Sequence, residues 1–253
     1  MRIAVISAVA GVVVALAAQQ VAAQGLTAGR FTVTPVVGTI RWDDASALAN
    51  KKADESGDFT ENVFTPTVGL SADYLVARQV GIGLYFEAAR PQTRGDYFPS
   101  LLLNFPNNAQ LRTISQRVTV LMYGVQGTLN IPAGRLNPYV SGGAGLVTIN
   151  GDPQQNDRNA SFTNGQFQVG GGIGYHVSGS TSIRLDVRDF VFTGFDRDEL
   201  YPVNLRFQNT LFPSANGNPP AEKSTVHNIR IALGFSYVPQ TAAPADEGTQ
   251  DQE

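Results

Sequence analysis

Apolar and polar positions alternate with a period of two along most of this chain. The clearest case is Val226 to Tyr237, V-H-N-I-R-I-A-L-G-F-S-Y. Ile229, Ile231, Leu233, Phe235 and Tyr237 share one face, and Asn228, Arg230, Ala232, Gly234 and Ser236 share the other. Successive side chains of a strand point to opposite faces, so this segment predicts a strand with one apolar and one polar or small face. Eight such segments are predicted, at about 30–42, 62–76, 80–90, 116–131, 136–149, 165–177, 182–194 and 226–238. Most are 10–15 residues long. Ordinary globular strands average about 5–6 residues, and a tilted membrane-spanning strand needs about 9–11.

The same separation of faces recurs in other segments. Ile82, Leu84 and Phe86 oppose Gly81, Gly83, Tyr85 and Glu87. Pro66, Val68, Leu70, Ala72 and Tyr74 oppose Thr67, Gly69, Ser71 and Asp73. Phe167, Val169, Ile173 and Tyr175 oppose Gln168, Gly170, Gly172 and Gly174. Ile183, Leu185, Val187 and Val191 oppose Arg184, Asp186 and Arg188. Asp189 falls on the apolar face, which predicts a place near a membrane boundary or at a bulge. Gly142, Gly143 and Gly145 blur the fifth segment. Pro35 and Pro66 lie inside predicted strands and demand a local break in the ladder.

A soluble sandwich would alternate in the same way with its apolar face inward. The connections argue for the inverse arrangement. Ala77-Arg78-Gln79, Pro132-Ala133-Gly134-Arg135 and Ser178-Gly179-Ser180-Thr181 are tight turns, whereas 43–61, 91–115, 150–164 and 195–225 are long. Short turns at one end and long loops at the other are the pattern of periplasmic turns and extracellular loops. The predicted fold is therefore all-β: one closed, antiparallel, eight-stranded transmembrane β-barrel, apolar face to lipid and polar face to the lumen. A soluble eight-stranded ligand-binding barrel is the competing reading. Aromatics cluster at strand ends. Tyr74, Tyr139, Tyr175, Phe235 and Tyr237 are expected as a girdle on the turn side, with Trp42, Phe64, Phe190 and Phe192 on the loop side.

Arg2, the apolar run Ile3–Ala18 and the small residues of Val21-Ala22-Ala23 form a secretory signal peptide pattern. The run is shorter than the roughly 20 residues needed to span a bilayer as a helix. The expected organisation is a cleaved signal at 1–23, a barrel domain at 24–238 and a disordered acidic tail at 239–253. Cysteine is absent, so disulfides play no part in stability. Without Arg2 the net charge falls from −3 to about −4, and no basic run appears, which argues against nucleic acid as a partner. Several of the 26 glycines fall inside predicted strands, where a narrow lumen would need small neighbours beside large side chains.

On G-R-F-T-V-T-P-V-V-G at 29–38, R-L-D-V-R-D-F at 184–190 and R-I-A-L-G-F-S-Y at 230–237, the chain resembles the small eight-stranded outer-membrane barrels, the OmpA/OmpX/OmpW-like superfamily. The resemblance covers nearly all of the predicted mature chain and identifies an architecture rather than an activity. It implies residence in the outer membrane of a Gram-negative-type bacterium. It also implies outer-membrane lipid and lipopolysaccharide as surroundings, and the barrel-assembly machinery as a partner during biogenesis. One departure is that the last aromatic, Tyr237, is followed by a 16-residue tail.

The leading candidate constellation is a lumen charge network of Glu87, Arg184, Asp186, Arg188 and Arg230, with Asp73 near the periplasmic end. Arg184, Arg188 and Arg230 are expected to meet Asp186 across two neighbouring strands, and Glu87 must reach across the lumen. Buried charges of this kind have to be paired. The expected role is a structural or surface-interaction protein with a plugged lumen. The alternatives are a channel for small solutes or hydrophobic compounds, as the OmpW type implies, and a lipid-modifying enzyme. Catalysis on lipid would need a histidine or serine on the outer surface with an acidic partner. Only His176 and His227 are present, the latter near Ser224, Thr225 and Glu222. No catalytic residue, metal site or cofactor is expected, and the chain is expected to be monomeric.

Overall fold

The computed structural model of the chain describes residues 28–238, apart from 47, 49, 54–58, 63, 93–98, 105–107, 114–116, 152–159 and 197–222. The expected signal peptide and acidic tail lie outside the described residues. So do the side chains of Phe98, Leu101, Leu102, Leu103, Phe105, Leu211 and Phe212, apolar residues of the long connections whose expected role is packing as a cap or contact with a surface.

Eight strands close into an antiparallel barrel: β1 (Phe31–Arg41), β4 (Phe64–Leu75), β5 (Val80–Ala89), β8 (Val118–Asn130), β9 (Leu136–Gly151), β10 (Ala160–His176), β11 (Thr181–Thr193) and β12 (Thr225–Tyr237). Each lies within a few residues of a predicted segment. The order around the barrel is β1, β12, β11, β10, β9, β8, β5, β4, and β1 closes on β4. Two connections expected to be loops contain hairpins, β2 (Asn50–Ala53) with β3 (Phe59–Asn62), and β6 (Pro99–Asn104) with β7 (Asn108–Thr113). The connection expected at 150–164 is shorter than foreseen, because β9 and β10 continue pairing as far as Gly151 and Ala160.

The apolar rows face outward and stand open. Val37 is 64% exposed, Leu84 62% and Leu233 57%. Leucine and valine would not be displayed to water over a whole barrel surface, so this belt is the lipid contact. Phe31, Phe64, Tyr74, Tyr175, Phe235 and Tyr237 are exposed near its edges. The expected girdle needs one correction: Trp42, Tyr139, Phe190 and Phe192 are buried in the lumen. They occupy inward positions by the same alternation that turns their neighbours out. Aromatic clustering marks strand ends but does not give the facing.

Both prolines sit at gaps in hydrogen-bonded ladders. Between β1 and β12 the pairing runs Val33 with Tyr237, then resumes at Val36 with Gly234, omitting Thr34 and Pro35. Proline has no N–H to donate. The gap is bridged on the lumen side by a buried bond between the hydroxyls of Thr34 and Ser236, 2.8 Å apart. Pro66 pairs with Thr39 on β1 but lies one residue beyond the β4–β5 ladder, which begins at Thr67.

Candidate functional site

The lumen has two storeys. The extracellular one is apolar. Ile40, Tyr85, Val118, Val120, Met122, Val147, Ile149, Phe190, Phe192 and Val226 turn inward there and pack as one cluster. The chain leaving β1 folds into this space. A 3-10 turn at Asp44–Ser46 brings Trp42, Ala45 and Leu48 into the cluster. Asp43 fixes the turn: its backbone N–H bonds Asn228 Oδ1 at 3.1 Å, and its carboxylate accepts the backbone N–H groups of Ala45 and His227. Trp42 Nε1 donates to Thr65 Oγ1 at 2.8 Å, satisfying the one polar atom of the ring.

Below it lies the polar storey. Arg230, with none of its surface exposed, donates from Nη2 to Asp186 Oδ1 at 2.5 Å and forms an ion pair with Glu87 Oε1 at 3.1 Å. It thereby links β12 to β5, three strands away around the barrel. Arg188 Nε donates to the same Asp186 oxygen at 2.7 Å. Arg188 and Arg230 are direct cross-strand partners, an unfavourable pairing by itself. The shared Asp186 carboxylate between them offsets it. Arg188 Nη1 reaches Gln126 Oε1 and Gln168 Oε1, each at 2.7 Å. Gln126 Nε2 then donates to Asp73 Oδ1 at 2.7 Å. Tyr139 donates to the second Asp186 oxygen.

Four of the five candidate residues, Glu87, Asp186, Arg188 and Arg230, therefore meet directly. Arg184 does not reach Asp186. Its Nη1 lies 3.9 Å from Asp73 Oδ2, and its guanidinium stacks 4.1 Å from the centre of the Tyr139 ring. Arg184 is two residues nearer the turn than Asp186, a rise of about 7 Å along the strand. Gln126, Gln168 and Tyr139 were missed as members. Alternation alone places all three inward, but attention to formal charge passed over neutral side chains that link charged ones.

Glycines make room for these large groups. A Cβ on Gly69 would stand 2.6 Å from Glu87 Cγ, one on Gly170 2.8 Å from Arg188 Cγ, and one on Gly172 2.7 Å from Tyr139 Oη. His176 ends the inward row of β10 at the turn end, bordering a small polar pocket with Thr128, Asn130 and Asn137. His227 is outward at the opposite end. Its carboxylate partner is Asp189, 2.7 Å from Nδ1. That contact accounts for the acid on the apolar face: it lies at the belt's extracellular edge, paired across β11 and β12. Among the described residues no serine or threonine hydroxyl is bonded to either histidine ring.

A closed eight-stranded barrel with a lipid-facing apolar belt and a polar interior defines an integral outer-membrane β-barrel of a Gram-negative-type bacterium. The chain belongs to the outer membrane protein beta-barrel domain family, whose sequence profile matches residues 8–237. Among solved structures it is similar to the Neisserial surface protein A, at 10% identity over 82% of this chain and 96% of that one, with a TM-score of 0.48. It is also similar to OprG from Pseudomonas aeruginosa (13% identity, 87% and 100% covered, TM-score 0.47). Ail, the attachment invasion locus protein of Yersinia pestis, is 9% identical over 83% and 100%, with a TM-score of 0.43. No curated protein matches the chain.

Proposed function

We propose that this protein is a closed structural barrel of the outer membrane that presents its long extracellular connections for surface interaction. The observation that carries this reading is Arg230, fully buried and bonded to Asp186 on one side of the lumen and Glu87 on the other. An eight-stranded barrel has an interior just wide enough for side chains to fill. Here the filling is an ionic layer beneath an apolar stopper. An ion crossing this lumen would have to displace buried charge pairs and then enter a hydrophobic constriction. The test is single-channel recording on the folded, purified full chain in planar bilayers. No sustained conductance is expected, and steady openings in the unmodified protein would overturn the closed reading.

A second reading is favoured by one feature. The extracellular storey is lined by Trp42, Met122, Phe190 and Phe192, the surface that a hydrophobic compound rather than an ion would contact. It predicts uptake of a small apolar dye into protein-containing vesicles with no accompanying conductance. Equal dye entry with and without the protein removes it.

A further inference from the structure

The lipid-facing surface changes character at its extracellular edge on the side formed by β1, β4, β5 and β8. Arg41 ends β1, Arg90 directly follows β5, and Arg117 directly precedes β8. All three are exposed. Alternation sets them on the outward face: Arg41 in the row of Val37 and Thr39, Arg90 in that of Phe86 and Ala88, Arg117 in that of Leu121 and Tyr123. Among the described residues, none of the three side chains has a hydrogen-bond or ion-pair partner.

Register brings Arg90 and Arg117 side by side, with Arg41 two strands beyond Arg90. Arg41 opposes Phe64, and Gln92 opposes Arg117. The β4–β5 pairing of Thr67 with Ala89, continued outward, sets Phe64 beside Gln92. Strands β1, β4, β5 and β8 are consecutive. At a strand spacing of about 4.8 Å, the Arg41 and Arg117 backbones stand about 14 Å apart measured across the strands, with Arg90 on the strand beside Arg117. Arg90 and Arg117 line one pocket with Phe64, Pro66 and Pro91. The other four strands offer Thr148, Asn150, Ser161, Thr163, Thr193 and Thr225 at their outward extracellular ends. Among the described residues of those four strands, the charged residue at an outward extracellular end is Asp189, paired with His227.

Guanidinium groups without a partner among the described residues, at the boundary of an apolar belt, meet the headgroups of the surrounding leaflet. In the outer leaflet of this membrane the headgroup is a phosphorylated glycolipid. A guanidinium offers parallel donors that match phosphate oxygens, and partial desolvation at the headgroup level strengthens such bonds. Phe64 and Val68, exposed just below on β4, offer an apolar wall for an acyl chain. We propose that Arg90 and Arg117, flanked by Arg41, form a phosphate-binding site for outer-leaflet glycolipid, holding lipid on one defined side of the barrel. The proposal rests on the outer-membrane position of the chain and not on whether its lumen is closed.

The test is native mass spectrometry of the folded full chain in detergent, titrated with bis-phosphorylated lipid A and, separately, with enzymatically dephosphorylated lipid A. The phosphorylated form is expected to bind at least about tenfold more tightly. Arg90→Gln/Arg117→Gln should abolish that preference. Arg30→Gln/Arg135→Gln, at the opposite end of the barrel, should retain it. Heat-modifiable gel mobility establishes that each variant is folded, and the comparison of lipids on unmodified protein requires no variant. Equal binding of both lipids overturns the proposal, as does an unchanged preference in Arg90→Gln/Arg117→Gln or its loss in the opposite-end variant. Displacement of the lipid by millimolar inorganic phosphate alone would assign the arginines to a soluble anion and overturn it likewise.

Discussion

Arg230 illustrates what a single side chain has to do in a lumen this narrow. A buried cation is tolerable only when paired, and removing one partner of a buried pair costs about 3–5 kcal/mol, because the other charge is left behind. Arg230→Met should therefore destabilise the folded barrel by that order, measured by urea unfolding in lipid vesicles. Combining it with Glu87→Gln should recover a substantial part of the loss, since both ends of the 3.1 Å bridge are then neutral. Additive losses in the double variant would mean that the bridge contributes no coupling. Gly170 gives a second expectation. A valine there would set its Cβ well inside contact distance of the Val187 backbone oxygen and 2.8 Å from Arg188 Cγ, and Gly170→Val should cost at least about 1–3 kcal/mol by overpacking. His227 gives a third: its imidazole is the partner of an acid at the edge of the lipid belt. His227→Ala should destabilise the protein, and Asp189→Asn in the same chain should reverse most of the effect.

At the scale of elements, the segment Trp42–Leu48 is the least expected part of the molecule. It follows the last residue of β1 and turns into the barrel instead of away from it. Its turn is fixed by Asp43, and its anchors are Trp42 and Leu48, both essentially without exposure. Trp42→Ala should cost about 3–5 kcal/mol. If the ionic layer below is an independent seal, the same variant stays non-conducting, whereas conductance in Trp42→Ala would place the main barrier in the apolar storey. The eight strands were legible in the sequence because period-two alternation is a local signal. Facing was legible for the same reason, and it put Glu87, Arg184, Asp186, Arg188 and Arg230 inside. Height was not. Which lumen residues share a level depends on the stagger between strands, a property of closure that no single strand encodes. Hence Arg184 falls beside Asp73 and Tyr139 while Glu87 reaches Arg230. The inward turn at 42–48 was illegible because seven residues of mixed polarity carry no period.

For the whole molecule, the governing fact is an exterior more apolar than parts of its interior. Substituting a lipid-facing residue near mid-belt, such as Leu84→Arg, should cost about 2–4 kcal/mol in vesicles. The inward neighbour Tyr85 sits in the packed lumen cluster, so Tyr85→Arg should fail through crowding instead, with loss of the heat-modifiable band. These two substitutions, one residue apart, separate the two solvents that shaped the chain. The sequence resemblance and the fold agree at this scale, since both describe an architecture that serves many purposes.

The interrupted seam between β1 and β12 bears on the order of events when the chain assembles. Thr34 and Ser236 are separated by 202 positions, while every other strand contact in the barrel joins chain neighbours or strands linked by one connection, except that between β1 and β12 itself. Bringing the two ends together carries the largest loop-closure entropy in the molecule, so this joint is the last to form and the first to part. A ladder that skips two residues there makes it weaker still. A zipper of this kind can be caught in the act. In a chain that has no thiol of its own, Thr34→Cys with Ser236→Cys should crosslink on oxidation only after the barrel has shut. The time course of that bond would then clock final closure separately from the earlier appearance of sheet.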